Sequence, residues 1–141
     1  LVQHDFDVTV LGYAKGYMCT GHDSDKPTIF YSDKKLIDEF ETVAKKIMPA
    51  NKVHKGIVAS GDIFIGSYEK KKELKELFNA TVAEMEGCAI AQASYLNNIP
   101  CVIVRAVSDL ADGTAAVSLS EFEQKSAHIS ASIIKRMLED L

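Results

Sequence analysis

The chain has 141 residues, of which 47% are hydrophobic and 26% are charged, and this composition is typical of one globular domain with a substantial core rather than a disordered tail. Its net charge of −4 gives no footprint for nucleic acid, and Lys70, Lys71 and Lys72 are interpreted as a solvated helix face. No span has the length and apolarity of a transmembrane helix and no signal peptide is recognised, so we expect a soluble, cytoplasmic protein without membrane contacts.

The cysteines and histidines predict neither a disulfide framework nor a metal site. Cys19, Cys88 and Cys101 are odd in number and lack a CxxC spacing, which is typical of reduced thiols. The four histidines are scattered without the spacing of zinc ligands. No GxGxxG follows a candidate strand, so a dinucleotide-binding fold is disfavoured and we predict no cofactor.

The start of the chain predicts short extended segments separated by a loop. The stretch from Val8 to Gly12 alternates in a strand-like pattern, and a glycine-punctuated loop runs from Gly12 to Gly21. The segment PTIFYS, which starts at Pro27, is a further extended candidate. Because the opening LVQHDFDVTVLGY begins as though a strand were already in progress, we expect the chain to be part of something longer.

Two amphipathic helices flank a strand in the middle of the chain. The first is capped by Ser32 or Asp33 and ends at Pro49. Its apolar stripe comprises Leu36, Phe40, Val43 and Ile47. A buried strand is predicted from Val53 to Ser60, and the second helix occupies Tyr68 to Asn79.

Two large apolar residues, Phe64 and Ile65, follow the carboxyl end of that strand. Composition favours a cap on the core for both residues. Large apolar groups in this position also form one wall of a planar ligand's pocket, so both interpretations stay open.

The stretch from Val82 to Asp109 predicts a β-α-β unit. A strand over Thr81–Met85 precedes a helix of small residues, and the apolar run Pro100–Val107 predicts a strand buried on both faces of a parallel sheet. The small side chains allow the helix to approach the sheet closely while Ile90 and Leu96 fill the gap. The fold class is therefore α/β.

Acidic residues follow both of these predicted strands, at the edge where open α/β sheets bind ligands. Glu86 is expected in the first turn of the helix, where free N–H groups and the helix dipole favour an ionised carboxylate. Asp109 follows an apolar strand, and desolvation there would raise its pKa and keep it protonated as a general acid. Glu84 is interpreted as a structural or surface group. The alternatives are that Glu86 is only a helix charge and that Asp109 caps the loop after it.

A final helix completes a single domain that spans residues 1–141. Ser118 and Glu121 have capping-box spacing at its start. Its apolar face comprises Leu119, Phe122, Ile129, Ile133 and Met137. No internal repeat, low-complexity tract or linker divides the chain.

Four motifs together resemble one enzyme family. VAEMEGCAIAQ, VRAVSDLAD, SGDIFIGS and HDFDVTVLGY are similar to the 5′-methylthioadenosine/S-adenosylhomocysteine nucleosidases of the purine nucleoside phosphorylase superfamily. The resemblance implies a three-layer α/β/α fold with a central mixed sheet, and hydrolysis of the N-glycosidic bond of 5′-thio-substituted adenosines to adenine and a thioribose. It also implies that the chain is the C-terminal portion, roughly three-fifths, of a subunit whose N-terminal strands and water-activating glutamate are absent here.

The resemblance assigns roles to six residues. Asp109 would be the acid that protonates N7 of the departing adenine, and Ser108 would orient its carboxyl group. Glu86 would bind the ribose hydroxyls and stabilise the oxocarbenium ion, and Met85 would lie against the ribose. Phe64 and Ile65 would form the adenine slot, with a stacking ring and with backbone groups that read the edge of the base.

The resemblance also concerns subunit contacts. Leu11, Tyr13 and Met18 lie in a segment that, in related enzymes, reaches across a dimer interface towards the pocket for the 5′-substituent. A homodimer is therefore expected, and no nucleic acid or membrane partner is.

Two alternative functions stay open. A purine nucleoside phosphorylase would use phosphate as the nucleophile and would need cationic clamps, whereas the chain has only Arg105 and Arg136 as arginines. A non-catalytic adenosine-binding relative would keep the pocket without the base that activates water.

Overall fold

The computed structural model describes residues 1–19, 23–107 and 119–139, except for the side chains of residues 119–123. Within these ranges the strands are β1 (Val2–Gln3), β2 (Ile57–Ser60) and β3 (Ala80–Glu84), and the helices are α1 (Lys34–Ile47), α2 (Tyr68–Phe78), α3 (Gly87–Leu96) and α4 (Leu119–Glu139). Short 3-10 helices occupy Thr9–Leu11 and Ala50–Lys52. None of the described helices has both the length and the apolarity that a membrane span requires.

The strands form one parallel sheet in the order β1-β2-β3, which confirms the α/β class. Val2 lies opposite Ala59, and Ser60 lies opposite Glu84. The carboxyl ends of all three strands therefore lie at one edge of the sheet. The described strands are all parallel, so the mixed character of the sheet stays a prediction.

Helices cover both faces of the sheet because side chains alternate along each strand. On one face, Val2 and Ala59 pack against Leu74 and Phe78 of α2. On the other face, Val58 packs against a cluster that α3 enters. The members of that cluster are Leu1, Phe30, Cys88 and Ala91. The arrangement agrees with the three-layer prediction.

The small residues of α3 allow close contact with the sheet, as predicted. Gly87, Cys88 and Ala91 are its buried positions, and a Cβ added at Gly87 would lie 2.9 Å from the Leu1 side chain. The expectation that Ile90 and Leu96 fill a gap is wrong, since both are exposed. A helix that approaches the sheet this closely leaves no gap to fill.

Helix α1 forms where the sequence predicts it, although Ile47 of the predicted apolar stripe is exposed. The Asp33 carboxylate caps it by accepting a hydrogen bond of 3.0 Å from the Leu36 N–H. Val43 and Ala44 pack against Ile133 and Met137 of α4 in a third core cluster. Ser118, the predicted cap of α4, lies outside the described residues.

The strand predicted over Val8–Gly12 is wrong. The Asp7 carboxylate accepts hydrogen bonds from the N–H and the hydroxyl of Thr9, at 3.0 and 2.7 Å, and a 3-10 turn follows. Aspartate side chains offer the backbone this local alternative to a strand ladder. Gly12 ends the turn with φ of +83°.

The apolar run Pro100–Val107 forms no strand in the described part of the chain. The Cys101 carbonyl accepts a hydrogen bond of 2.7 Å from the Asp33 N–H, and Ile103 packs against the cluster around Leu1. An apolar run favours an extended segment, but a strand also requires a neighbouring backbone as its partner. The predicted burial on both faces is wrong as well, since Ile103 is only half-buried and Val107 is exposed.

Two leucines of α2 provide a matched test of the core. Leu74 is 3% exposed and Leu77 is 51% exposed. We expect Leu74→Ala to lower the free energy of unfolding by about 2–5 kcal/mol, because it leaves a cavity between α2 and the sheet. Leu77→Ala should change it by less than about 0.5 kcal/mol. Urea denaturation measures both, and equal effects would contradict the packing described here.

Candidate active site at the carboxyl ends of the strands

Ser60 and Glu84, the last residues of β2 and β3, form the centre of the polar edge of the sheet. Ser60 is buried, and its hydroxyl donates a short hydrogen bond to Glu84 Oε1. The oxygen of that hydroxyl, Ser60 Oγ, accepts a hydrogen bond of 2.7 Å from the Cys88 N–H. One hydroxyl therefore joins two strands and the start of α3.

The Glu84 carboxylate occupies the N-terminal end of α3. It accepts hydrogen bonds from the Gly87 N–H at 2.9 and 2.8 Å, and from the Glu86 N–H at 3.2 Å. A helix N-terminus has free N–H groups and a partial positive charge, which a carboxylate complements. The interaction that the sequence suggested for Glu86 is thus made by Glu84.

Arg105 connects this edge to the segment that follows α3. Its Nη2 atom donates a short hydrogen bond to Glu84 Oε2 and lies 2.7 Å from Glu86 Oε2. The guanidinium group therefore bridges the two glutamates of the EME motif. It also brings residues 101–107 to the carboxyl end of β3.

Glu84 is held in its charged form although its side chain is only 9% exposed. Burial raises the pKa of its carboxyl, but hydrogen bonds from Ser60 and from the N–H groups of Glu86 and Gly87, together with the charge of Arg105, lower that pKa below its usual range. Sequence reasoning left Glu84 as a structural or surface group, and the structure makes it structural.

Glu86 has the opposite environment. It precedes the first turn of α3, and its side chain makes no capping hydrogen bond, so its expected place inside that turn is wrong. The side chain is 65% exposed and has Arg105 as an ion-pair partner. Such a carboxylate is accessible to the hydroxyl groups of a ligand. Met85 beside it is exposed too.

Phe64 and Ile65 lie on the loop after β2 and differ from each other. Ile65 packs against the core cluster between the sheet and α2. Phe64 is 68% exposed, and a Cβ added at Gly66 would lie 3.1 Å from its ring. The core interpretation is therefore right for the Ile65 side chain, while Phe64 presents an aromatic face at the sheet edge.

The three residues that were predicted to reach a partner's pocket differ in exposure. Leu11 and Tyr13 are exposed, and the Tyr13 ring lies 5.2 Å from that of Tyr17. Met18 is half-buried and packs against the cluster around Leu1. Leu11 and Tyr13 are thus more accessible to another molecule than Met18 is.

The predicted acid Asp109 and its neighbour Ser108 lie outside the described residues, so their roles stay predictions. Within the described ranges, no group of three or more His, Cys, Asp or Glu side chains is arranged to hold a metal ion.

Sequence reasoning missed Ser60 and Arg105. A charged residue within an apolar run, as in CVIVRAV, requires a compensating partner, and that signal could have singled out Arg105. Ser60 gave no such signal, because a serine at the end of a strand is common and only the register of β2 and β3 puts it opposite Glu84.

The fold and the polar edge of the sheet can be compared with those of known protein families. The chain belongs to the Phosphorylase superfamily, whose family model matches residues 1–139. It is 42% identical over 139 residues to the 5′-methylthioadenosine/S-adenosylhomocysteine nucleosidase of Haemophilus influenzae, a match that covers 98% of this chain and 58% of the relative. The chain thus spans about three-fifths of the length of the curated relative, and the resemblance drawn from the four motifs is confirmed.

Solved structures of such enzymes superpose well on the chain. The Neisseria meningitidis nucleosidase in complex with methylthio-immucillin-A gives a TM-score of 0.81 at 37% identity, covering 99% of this chain and 58% of that one. A Helicobacter pylori nucleosidase, in which one aspartate is replaced by asparagine and 5′-methylthioadenosine occupies the active site, gives 0.80 at 33% identity with the same coverage.

The enclosed carboxylate at the edge predicts a pH-dependent contribution to stability. The pKa of Glu84 is lowered in the folded state, so its contribution is present above pH 4.5, the usual pKa of glutamate, and is lost as the pH falls below that value. We expect Glu84→Gln to lower the free energy of unfolding at pH 7 by about 1–3 kcal/mol. The free energy of unfolding of the variant should also fall less than that of the unsubstituted protein as the pH drops below 4.5.

Urea denaturation between pH 3 and pH 7 checks this prediction. Glu76→Gln is the matched control, since Glu76 is an exposed glutamate whose described partner is Lys72 in the next helical turn. A Glu84→Gln protein as stable as the Glu76→Gln protein at pH 7 would contradict the prediction.

Proposed function

We propose that the chain carries the base-binding and sugar-binding edge of an N-glycosyl hydrolase that cleaves 5′-methylthioadenosine and S-adenosylhomocysteine to adenine and a thioribose. The observation that carries the proposal is the pair of unlike carboxylates at one sheet edge, Glu84 enclosed and Glu86 exposed beside Arg105. Similarity to nucleosidases supports it.

The sugar subsite is built on Glu86 and Met85. Cleavage of an N-glycosidic bond gives the ribosyl group positive charge as the bond lengthens. An ionised carboxylate that accepts hydrogen bonds from the ribose hydroxyls stabilises that charge. The exposure of Glu86 supports this role, and the exposed thioether of Met85 supplies an adaptable apolar surface against the sugar.

The base subsite is built on the loop after β2. The exposed ring of Phe64 stacks on adenine, and backbone groups at Ile65 read the edge of the base while the Ile65 side chain packs in the core. Backbone groups can recognise the base only if the loop is rigid, and the packing of the Ile65 side chain against the core supports that requirement.

Asp109 is the general acid, and Ser108 orients its carboxyl group. Adenine is a poor leaving group as an anion, so protonation at N7 lowers the barrier to bond cleavage. Arg105 supports this assignment, because it brings the chain four residues before Asp109 to the polar edge. None of the residues of this chain is assigned as the base that activates water.

The assembly we propose is a homodimer in the cytoplasm, with a role in methionine salvage. Leu11 and Tyr13 supply an exposed apolar and aromatic surface that a second subunit can cover to enclose the 5′-substituent. Cys19, Cys88 and Cys101 are all free thiols, which is typical of a reducing compartment.

Replacement of the proposed acid tests this function. Using the protein as its gene encodes it, we expect Asp109→Asn to lower kcat for adenine release from 5′-methylthioadenosine by about 100-fold or more, because general acid catalysis contributes on that order. Affinity for the substrate should change little. Asp38→Asn, on the exposed side of α1, is the control and should keep full activity.

Two outcomes would overturn the proposal. Full turnover by the Asp109→Asn protein would show that Asp109 is not the general acid. Product formation that requires added phosphate would make the enzyme a phosphorylase instead of a hydrolase.

A further inference from the structure

We propose that Asp5 and His4, which follow β1, are positioning residues that hold the loop of residues 61–65 so that Phe64 faces a bound base. This inference rests on the function proposed above, since it explains how that base subsite is kept in place. Neither residue has a role in the function proposed above.

The loop is anchored to β1 and β3 at its start. The His4 N–H donates to the Ser60 carbonyl at 2.8 Å, and the Gly61 N–H donates to the Glu84 carbonyl at 3.2 Å. These bonds continue the parallel pairing by one residue beyond each strand. They fix the point at which the loop leaves the sheet.

Asp5 then fixes the next residue of the loop. Its Oδ2 atom accepts a hydrogen bond of 2.6 Å from the Asp62 N–H, and its Oδ1 atom accepts one of 2.6 Å from the Gln3 side-chain amide. The carboxylate is thus braced on its own strand while it binds the loop. Burial raises its pKa, but these hydrogen bonds lower that pKa below the usual value, so the strong acceptor is present at neutral pH.

His4 fills the space beneath the loop. Its side chain is 1% exposed, and neither ring nitrogen has a hydrogen-bond partner among the described residues. A Cβ added at Gly61 would lie 2.5 Å from His4 Nε2 and 2.7 Å from Asp5 Cγ. The backbone of Gly61 therefore lies directly on both side chains, a contact that only glycine permits.

The far end of the loop is anchored by the Ile65 side chain in the core beside α2. Between the two anchors, Ile63 and Phe64 are exposed. A short loop held at both ends presents its middle residues in one orientation, and a rigid platform loses little entropy when a base stacks on it. Loss of the Asp5 anchor should therefore weaken binding of the base and leave binding of the sugar unchanged.

The experiment compares the two products of the proposed reaction as separate probes. Dissociation constants for adenine and for 5-methylthioribose are measured by calorimetry on the protein as its gene encodes it. For Asp5→Ala we expect adenine to bind about tenfold more weakly, as for one lost hydrogen bond to a charged acceptor, with 5-methylthioribose unchanged. Unchanged adenine binding, or equal weakening of the binding of both probes, would overturn the inference.

Two further variants sharpen the test. Asp5→Asn keeps an oxygen that can accept from the Asp62 N–H, while Gln3 can rotate its amide to suit the new group, so this variant should restore most of the adenine affinity. Gly61→Ala should weaken adenine binding as Asp5→Ala does, because the added methyl group displaces His4 and Asp5. Asp38→Ala is the matched control, since Asp38 also has two polar partners, Lys34 and Lys55, but lies on α1.

Hydrogen exchange at the Asp62 amide provides a readout that needs no ligand. We expect exchange about tenfold faster in Asp5→Ala than in the unsubstituted protein, and unchanged exchange in Asp38→Ala. Equal exchange in all three proteins would overturn the positioning role. Failure of the unsubstituted protein to bind adenine would instead overturn the proposed function, and the exchange rates would still decide whether Asp5 holds the loop.

Discussion

The Glu84 carboxylate is the group on which the polar edge of this protein depends. It accepts hydrogen bonds from the Ser60 hydroxyl at the end of β2, from the first N–H groups of α3, and from Arg105. One side chain thus joins a strand, a helix and the segment after that helix. Loss of this carboxylate would leave the partly buried Ser60 hydroxyl and Gly87 N–H without the acceptor that they share.

The same network explains how two glutamates two residues apart acquire different properties. Strand geometry directs Glu84 towards Ser60, at the start of α3, while Glu86 falls at the turn and extends into solvent. Arg105 contacts both, so its charge offsets the repulsion between them. The edge therefore combines a structural carboxylate, which fixes geometry, with an accessible one that is free to meet a ligand.

Positions of the site residues follow from the packing of the two faces. Helix α2 encloses Ile65 and leaves Phe64 at the edge, and α3 lies so close to the sheet that its glycine and alanine side contacts the strands. The Asp5 carboxylate adds a polar anchor to the loop that carries Phe64. A rigid sheet edge with exposed side chains between fixed anchors is the usual way in which an α/β fold supports a binding site.

The sequence by itself determined the α/β class, the bounds of α1 and α2 to within one or two residues, and the resemblance to the nucleosidases, because apolar periodicity, capping residues and motifs are local properties of the chain. Only the tertiary structure decided that the carboxylate of Glu84, and not that of Glu86, binds the N–H groups at the start of α3 and that Arg105 bridges the two. It also decided that Ile65 packs against the core while Phe64 is exposed. Each of these depends on the register of neighbouring strands or on the depth at which a helix packs. Strand register and packing depth are set by contacts between residues far apart in sequence, and no local pattern encodes such contacts.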